Sequence, residues 1–314
     1  MKAVVVPTNR EEGIKSFLKA WEKADWDEII VIEDGPRKSF DLGLEHHYSW
    51  KEIGEDLREN SWIFSKRDSA IRSYGFLVAH RMGAEYIFSL DDDCYPEGND
   101  LWCDAHIKRM NQAPRWVGSV LGQRTRGIPY ENTGTLENVV FNVGLWTGVP
   151  DYDSIQSLSI GDTGQHYEPP DSDRIIPSGQ YFPFCGMNFA FHRKAAPLCY
   201  FPLMGESSPF GRFDDIWFGI IAKKVCDHLG WHISVGRPYV EHIRLSNKFT
   251  NLVKEAPGIK FNEEFWEIID KINLTSRTTV GCMQEIANQL DHHSLYIPQL
   301  GLAIQVWCDL IERG

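Results

Sequence analysis

With 314 residues, of which 42% are hydrophobic and 24% charged, the chain is long enough for one large or two small globular domains. That excludes a stapled mini-protein, a fibrous repeat and a disordered tract. Lysine and arginine total 32 against 44 acidic residues, a formal charge of −12, which disfavours general nucleic-acid binding. A small anionic ligand would need local arginines or a bridging divalent cation.

No apolar stretch reaches the roughly 20 residues of a membrane span, so none is expected. The amino terminus, MKAVVVPTNR, lacks a secretory apolar core and a small-residue cleavage site, and a cytoplasmic protein is expected. The seven cysteines form no C-x-x-C pair and read as reduced, mostly buried thiols.

Ala3 to Val6 reads as a strand ended by Pro7. Glu11 to Ala24 then places Ile14, Phe17, Leu18 and Trp21 on one helical face, with Asn9 as N-cap. Glu28 to Glu33 is a second apolar strand, stopped by Asp34-Gly35-Pro36. Near-continuous rather than alternating apolar strands predict burial on both faces, hence an α/β fold with a mainly parallel sheet flanked by helices. Asp68 to Met82 reads as a helix, and Ala84 to Leu90 as a third strand running into Asp91-Asp92-Asp93. Residues 115–173 are rich in Gly, Pro, Asp and Thr and predict loops, short strands and a lid. Tyr181 to His192 returns to the core, Ile216 to Leu229 forms a helix ended by Gly230, and the tail beyond Lys260 is helical. The apolar tail helices, including Leu300, Ile304, Trp307, Leu310 and Ile311, are available to pack between subunits of a homo-oligomer.

In open α/β sheets, ligands bind beyond the carboxyl ends of the strands, where Thr8 to Arg10, Asp34 and the three aspartates fall. If the aspartates are extended, Asp91 and Asp93 share a face while Asp92 points away. Two such carboxylates suit Mg²⁺ or Mn²⁺; alternatively they form a turn or cap. Arg67, Arg72 and Arg81 are either anion forks or a solvated helix face. Asp214 and Asp215 are either carboxylates favoured by a helix dipole or a general base. His242 is either structural or a metal ligand. Dinucleotide, P-loop and nucleophile-elbow motifs are missing.

The ordered strings VVVPT, EDGP, KRDSAIRSYGFLV, IFSLDDDC, TRGIPY, VGLWTGVPDYD, FPFCGMNFAF, YFPLMG, GRFDDIWFG, KKVCDHLG and EHIRLSN resemble the reversibly glycosylated polypeptide family, best known for UDP-arabinopyranose mutase activity. The resemblance implies a GT-A-like nucleotide-sugar domain over residues 1–258, with residues 259–314 as a helical extension. It implies a UDP-sugar substrate and a Mn²⁺ or Mg²⁺ cofactor held by Asp91, Asp93 and His242. Thr8, Arg10, Asp34, Arg67, Arg72, Asp91 and Asp92 would face the nucleotide, and Asp214 and Asp215 the sugar. Arg126 inherits the position of the reversibly glycosylated arginine. One position departs, with Thr133 where plant members carry a second arginine. The activity implied is pyranose–furanose interconversion; the alternatives are transfer to a separate acceptor and a non-catalytic nucleotide-sugar-binding subunit.

Overall fold

A computed structural model describes residues 1–98, 101–119, 125–161, 166–169, 173–206, 208–244, 246–290 and 295–314. The first unit is β1 (Lys2–Thr8), α1 (Glu11–Ala20) and β2 (Glu28–Glu33), followed by β3 (His47–Tyr48) and α2 (Trp50–Leu57). Next come α3 (Arg72–Arg81), β4 (Tyr86–Leu90), β5 (Cys94–Pro96) and α4 (Trp102–Asn111). The chain continues with β6 (Val139–Gly148), α5 (Ser154–Ile160), β7 (Arg174–Ile175) and β8 (Asn188–His192). It ends with α6 (Asp214–Leu229), β9 (His232–His242), α7 (Lys248–Lys271), α8 (Thr279–Gln289) and α9 (Tyr296–Glu312).

The strands join in the order β3-β2-β1-β4-β8-β6-β9-β5, with β7 also on β9. The run β3-β2-β1-β4 is parallel, as is β6 with β9, while β8 lies antiparallel between β4 and β6. This is the α/β architecture, a sheet flanked by helices, expected from the sequence. Alternate residues of a strand face opposite sides, and here both sides are covered. Val5, Ile30 and Ile32 join a core packed by α3, α6, α8 and α9, whereas Val4, Val6 and Val31 join a second core with α1 and α4.

Helix α3 approaches β1 and β2 through Gly75, where a Cβ would overlap Val5 Cγ1 and stand 3.3 Å from Ile32 Cγ1. That close approach fixes the helix that begins with Arg72. Gly230 closes α6 in the left-handed conformation, φ 68°, as its position after the periodic run predicts.

Several boundaries differ from expectation. Strand β1 continues through Pro7 to Thr8, bringing Thr8 to the carboxyl edge of the sheet. The first helix stops at Ala20, and its N-cap is Arg10 rather than Asn9. The aromatic ring of Trp21 turns inward, its Nε1 donating to the Cys94 carbonyl. The region expected to be loops contains β6, ten residues long and central in the sheet. The division expected at residue 258 falls inside α7, and α8 and α9 belong to the same core as β1 and α3. Trp307 of α9 donates to the Pro197 carbonyl. Leu300, Ile304, Trp307, Leu310 and Ile311 are all buried within the chain, so these side chains are not left over for a subunit contact. Among the described residues, no helix is long and apolar enough to cross a membrane.

Candidate active site

The carboxyl ends of β1, β2 and β4 open into a cleft of about 400 Å³. Thr8, Arg10, Asp34, Arg67, Arg72, Asp91, Asp92, Asp93, Asp214, Asp215 and His242 all line it. Residues separated by more than 200 positions thus meet where the strand-end rule puts a ligand.

The three aspartates are not extended. Cys94 N–H donates to the Asp91 carbonyl at 3.1 Å, closing a turn, so the expected alternation of faces does not apply. Asp92 points into the cleft rather than away from it: its Oδ2 accepts from Thr8 Oγ1 at 2.6 Å, and its carboxylate pairs with Arg10. Arg10 also stands 3.6 Å from Asp93. Burial and then the neighbouring Asp91 push the Asp93 carboxyl up to about 6.

Arg72 is only 2% exposed. Its guanidinium donates to Asp91 Oδ1 at 2.5 Å, Ser89 Oγ at 2.7 Å, the Gly186 carbonyl at 2.5 Å and the Ser69 carbonyl at 3.2 Å. Four of its five N–H donors are taken by the protein, so it acts as a buried counter-charge to Asp91 rather than as a free anion fork. Gly186 makes this possible, since a Cβ there would lie 3.1 Å from Arg72 Nη1. Arg81, by contrast, pairs with Asp56 outside the cleft, as a solvated-face reading predicts.

Asp214 and Asp215 open α6, yet they are more than helix-dipole carboxylates on the surface. Asp214 is 2% exposed and accepts from Ser69 Oγ, while Asp215 accepts from Gly186 N–H at 2.8 Å. Burial raises both, and Asp214 adds to the rise of Asp215. Asp68 joins them: burial and then Asp214 push its carboxyl up to about 7.

His242 ends β9 and pairs with Cys94 of β5, beside the aspartate turn. Its Nδ1 lies 2.8 Å from the Val149 carbonyl. A carbonyl only accepts, so Nδ1 carries the proton in the neutral ring and Nε2 keeps a lone pair. Two carboxylates and such a nitrogen are chemically suited to Mn²⁺ or Mg²⁺. Among the described residues, however, no three Asp, Glu, His or Cys side chains are drawn together closely enough to hold an ion. Asp91 is engaged by Arg72, and Asp92 and Asp93 face Arg10.

Asp34 Oδ1 accepts from Trp50 Nε1 at 2.8 Å and from Arg67 N–H at 2.9 Å, so it braces the loop carrying Arg67. The Arg67 side chain pairs with Glu206. Arg126 is exposed on the segment before β6 and does not line the cleft. Sequence reasoning missed Asp151, Arg212, Arg244, Asn251 and Lys254, which do line it. The first three lie inside strings that carry the family resemblance. Asn247, Asn251 and Lys254 recur at i, i+4 and i+7 along α7, a helical spacing that was available as a signal.

Fold and site together define an α/β protein with an acidic, arginine-braced cleft at its strand ends. The profile of the family described as "Reversibly glycosylated polypeptide" matches residues 120–313. UDP-arabinopyranose mutase 3 of Arabidopsis thaliana is 33% identical over 336 residues, covering 99% of this chain and 90% of that protein. Probable UDP-arabinopyranose mutase 1 of Solanum tuberosum is 33% identical over 98% of this chain and 88% of its own length. The chain belongs to the reversibly glycosylated polypeptide family. The crystal structure of a mycobacterial protein is similar in fold, with a TM-score of 0.51 at 14% identity, over 88% of this chain and 78% of that one.

Proposed function

We propose that the protein is a divalent-cation-dependent UDP-sugar enzyme that interconverts the pyranose and furanose forms of UDP-arabinose. The observation that carries this reading is the convergence of the three aspartates, His242 and the Asp214–Asp215 pair on one cleft, in a chain aligned along nearly its whole length with UDP-arabinopyranose mutases. The family resemblance makes Asp91, Asp93 and His242 the residues that would hold Mn²⁺ or Mg²⁺, which would supply positive charge against the diphosphate, although their side chains do not stand as a three-ligand group here.

The chain's own residues divide the remaining work. Arg10 and Lys254 offer positive ends to the diphosphate, while Arg72 holds the Asp91 carboxylate in place. Cleavage of the anomeric C–O bond leaves positive charge on the sugar. Asp214 and Asp215, raised by burial, gain from a cation arriving beside them, so they stabilise that state more than the bound substrate. A nucleophile must then take the anomeric carbon so that the C1–O5 bond breaks as O5 gains a proton, O4 gives up its proton and closes on C1, and UDP returns to C1 as that nucleophile leaves. Arg126 enters through the family resemblance, as the residue reversibly glycosylated, and the exposed position of its loop makes it the part of the reading most open to test. The reading places the protein in the cytoplasm, where its seven buried thiols remain reduced.

The experiment is chromatography of nucleotide sugars after incubation with UDP-arabinopyranose and Mn²⁺. A furanose product lost on chelation and in Asp93→Ala is expected. Unchanged substrate would overturn the mutase reading, and UDP release dependent on an added acceptor would replace it with transfer to that acceptor.

A further inference from the structure

Exchanging O5 for O4 at C1 puts one proton on a ring oxygen and takes another off. Asp68, half-buried, lines the same cleft as the Asp214–Asp215 pair. Ser69 Oγ donates to Asp214 Oδ2 at 2.9 Å, which sets Asp68 next to that pair. The arginines nearest to it in the chain turn to other partners, Arg67 to Glu206 and Arg212 to Glu255. Backbone orients the Asp68 carboxyl instead: Oδ1 accepts from Ala70 N–H at 3.1 Å and Oδ2 from Arg212 N–H at 3.2 Å. Each oxygen keeps a lone pair for a proton or a ligand. Arg212 donates from a left-handed backbone, φ 63°, a conformation that residues other than glycine hold only where the surroundings impose it. Across Gly211, where a Cβ would stand 3.7 Å from Asp68 Oδ2 and 3.8 Å from Lys254 Cβ, helix α7 closes the same corner. The titratable and charged groups facing Asp68 are thus Asp214 of α6, Arg212 before it, Lys254 of α7 and Tyr296 of α9. The Tyr296 hydroxyl is buried without a hydrogen-bond partner among the described residues.

We infer that Asp68 is a further catalytic residue, the acid and base that exchanges the two ring oxygens. This rests on the reading of the protein as a mutase. With a nucleophile holding C1, the C1–O5 bond breaks, its electron pair goes to O5, and the Asp68 carboxylic acid gives O5 its proton. The nucleophile meanwhile shares a second pair with C1. The Asp68 carboxylate then takes the O4 proton as O4 closes on C1, the nucleophile recovers that pair, and the acid is restored. In the reverse direction the same acid form opens the furanose. A carboxyl that holds its proton to about 7 suits both halves of the cycle.

The test separates departure of UDP from exchange of ring oxygens. UDP-arabinopyranose is labelled with ¹⁸O at the oxygen between C1 and the β-phosphorus. Phosphorus nuclear magnetic resonance reads movement of the label to the other β-phosphate oxygens, and chromatography reads furanose. In Asp68→Asn, UDP binding and label movement should persist, while furanose formation falls by about 100-fold or more. In the unaltered protein kcat should fall as pH rises through about 7, because ring opening needs the acid form, and the residual rate of Asp68→Asn should lack that limb. Asp68→Glu, which keeps a displaced carboxyl, should lose less, still slowing furanose formation more than label movement, and serves if the asparagine variant does not fold. Label movement and furanose formation falling together in either variant, or neither falling, overturns the inference alone. If the unaltered protein makes no furanose, the mutase reading fails and the inference with it.

Discussion

Replacing Arg72 with Met separates two roles for a cleft arginine. The substitution removes four hydrogen bonds and leaves Asp91 and Asp214 without their nearest buried positive charge. Breaking a buried ion pair on one side costs about 3 to 5 kcal/mol, and because the Asp91 side chain is 32% exposed the lower figure applies. At about 2 °C per kcal/mol for a chain of this size, the melting temperature should fall by about 6 °C. Arg72→Lys should lose less, keeping charge without the fork. The paired substitution Arg72→Met with Asp91→Asn should recover part of the loss, as coupled neighbours do. The assay is thermal unfolding beside UDP titration by calorimetry. A melting temperature within about 1 °C of the unaltered protein, joined to lost UDP binding, would refute this reasoning and make Arg72 a direct phosphate ligand.

Three further outcomes are expected. Gly75→Ala should destabilise by about 1 to 3 kcal/mol in denaturant unfolding, because its Cβ overlaps Val5 and forces α3 off β1 and β2; no change in midpoint would contradict that packing. Asp68, raised to about 7 in the fold, binds its proton more tightly there than in the unfolded chain. Its ionisation therefore removes stability as pH rises from about 4 to about 7, and the stability of Asp68→Asn relative to the parent should grow across that window. A difference independent of pH would show that Asp68 ionises normally. Arg126→Lys keeps the charge but loses the guanidinium, and transfer of labelled arabinose from UDP-arabinose onto the protein should disappear; label uptake at the parent level would remove Arg126 from the covalent role.

Much of the architecture was legible because it depends on local patterns. The apolar runs around Val5, Ile32 and Ile87 gave the parallel strands, and the strand-end rule gave the crevice at Thr8, Asp34 and Asp91. What escaped depends on distant contacts. The turn at Asp91 to Cys94 was one of two readings of the aspartate run, and the bond from Cys94 N–H to the Asp91 carbonyl selects it, and with it the orientation of Asp92. Charge alone could not separate buried Arg72 from solvated Arg81, since both belong to α3 and only the fold buries one. Strand β6 was hidden among loop-forming neighbours, although Val139, Val140, Phe141 and Val143 are all buried in its middle-sheet position. The expected boundary at residue 258 followed the end of the family resemblance, and helix α7 runs through it with Pro257 inside.

The central claim is interconversion of two ring forms without a second acceptor. Its most direct test starts separate incubations from UDP-arabinopyranose and from UDP-arabinofuranose, with Mn²⁺ and no other sugar or protein. Convergence of both on one pyranose-to-furanose ratio is the predicted result, with the rate lost in Asp93→Ala. Persistence of the two starting compounds, or their one-way conversion to UDP and free arabinose, would contradict it.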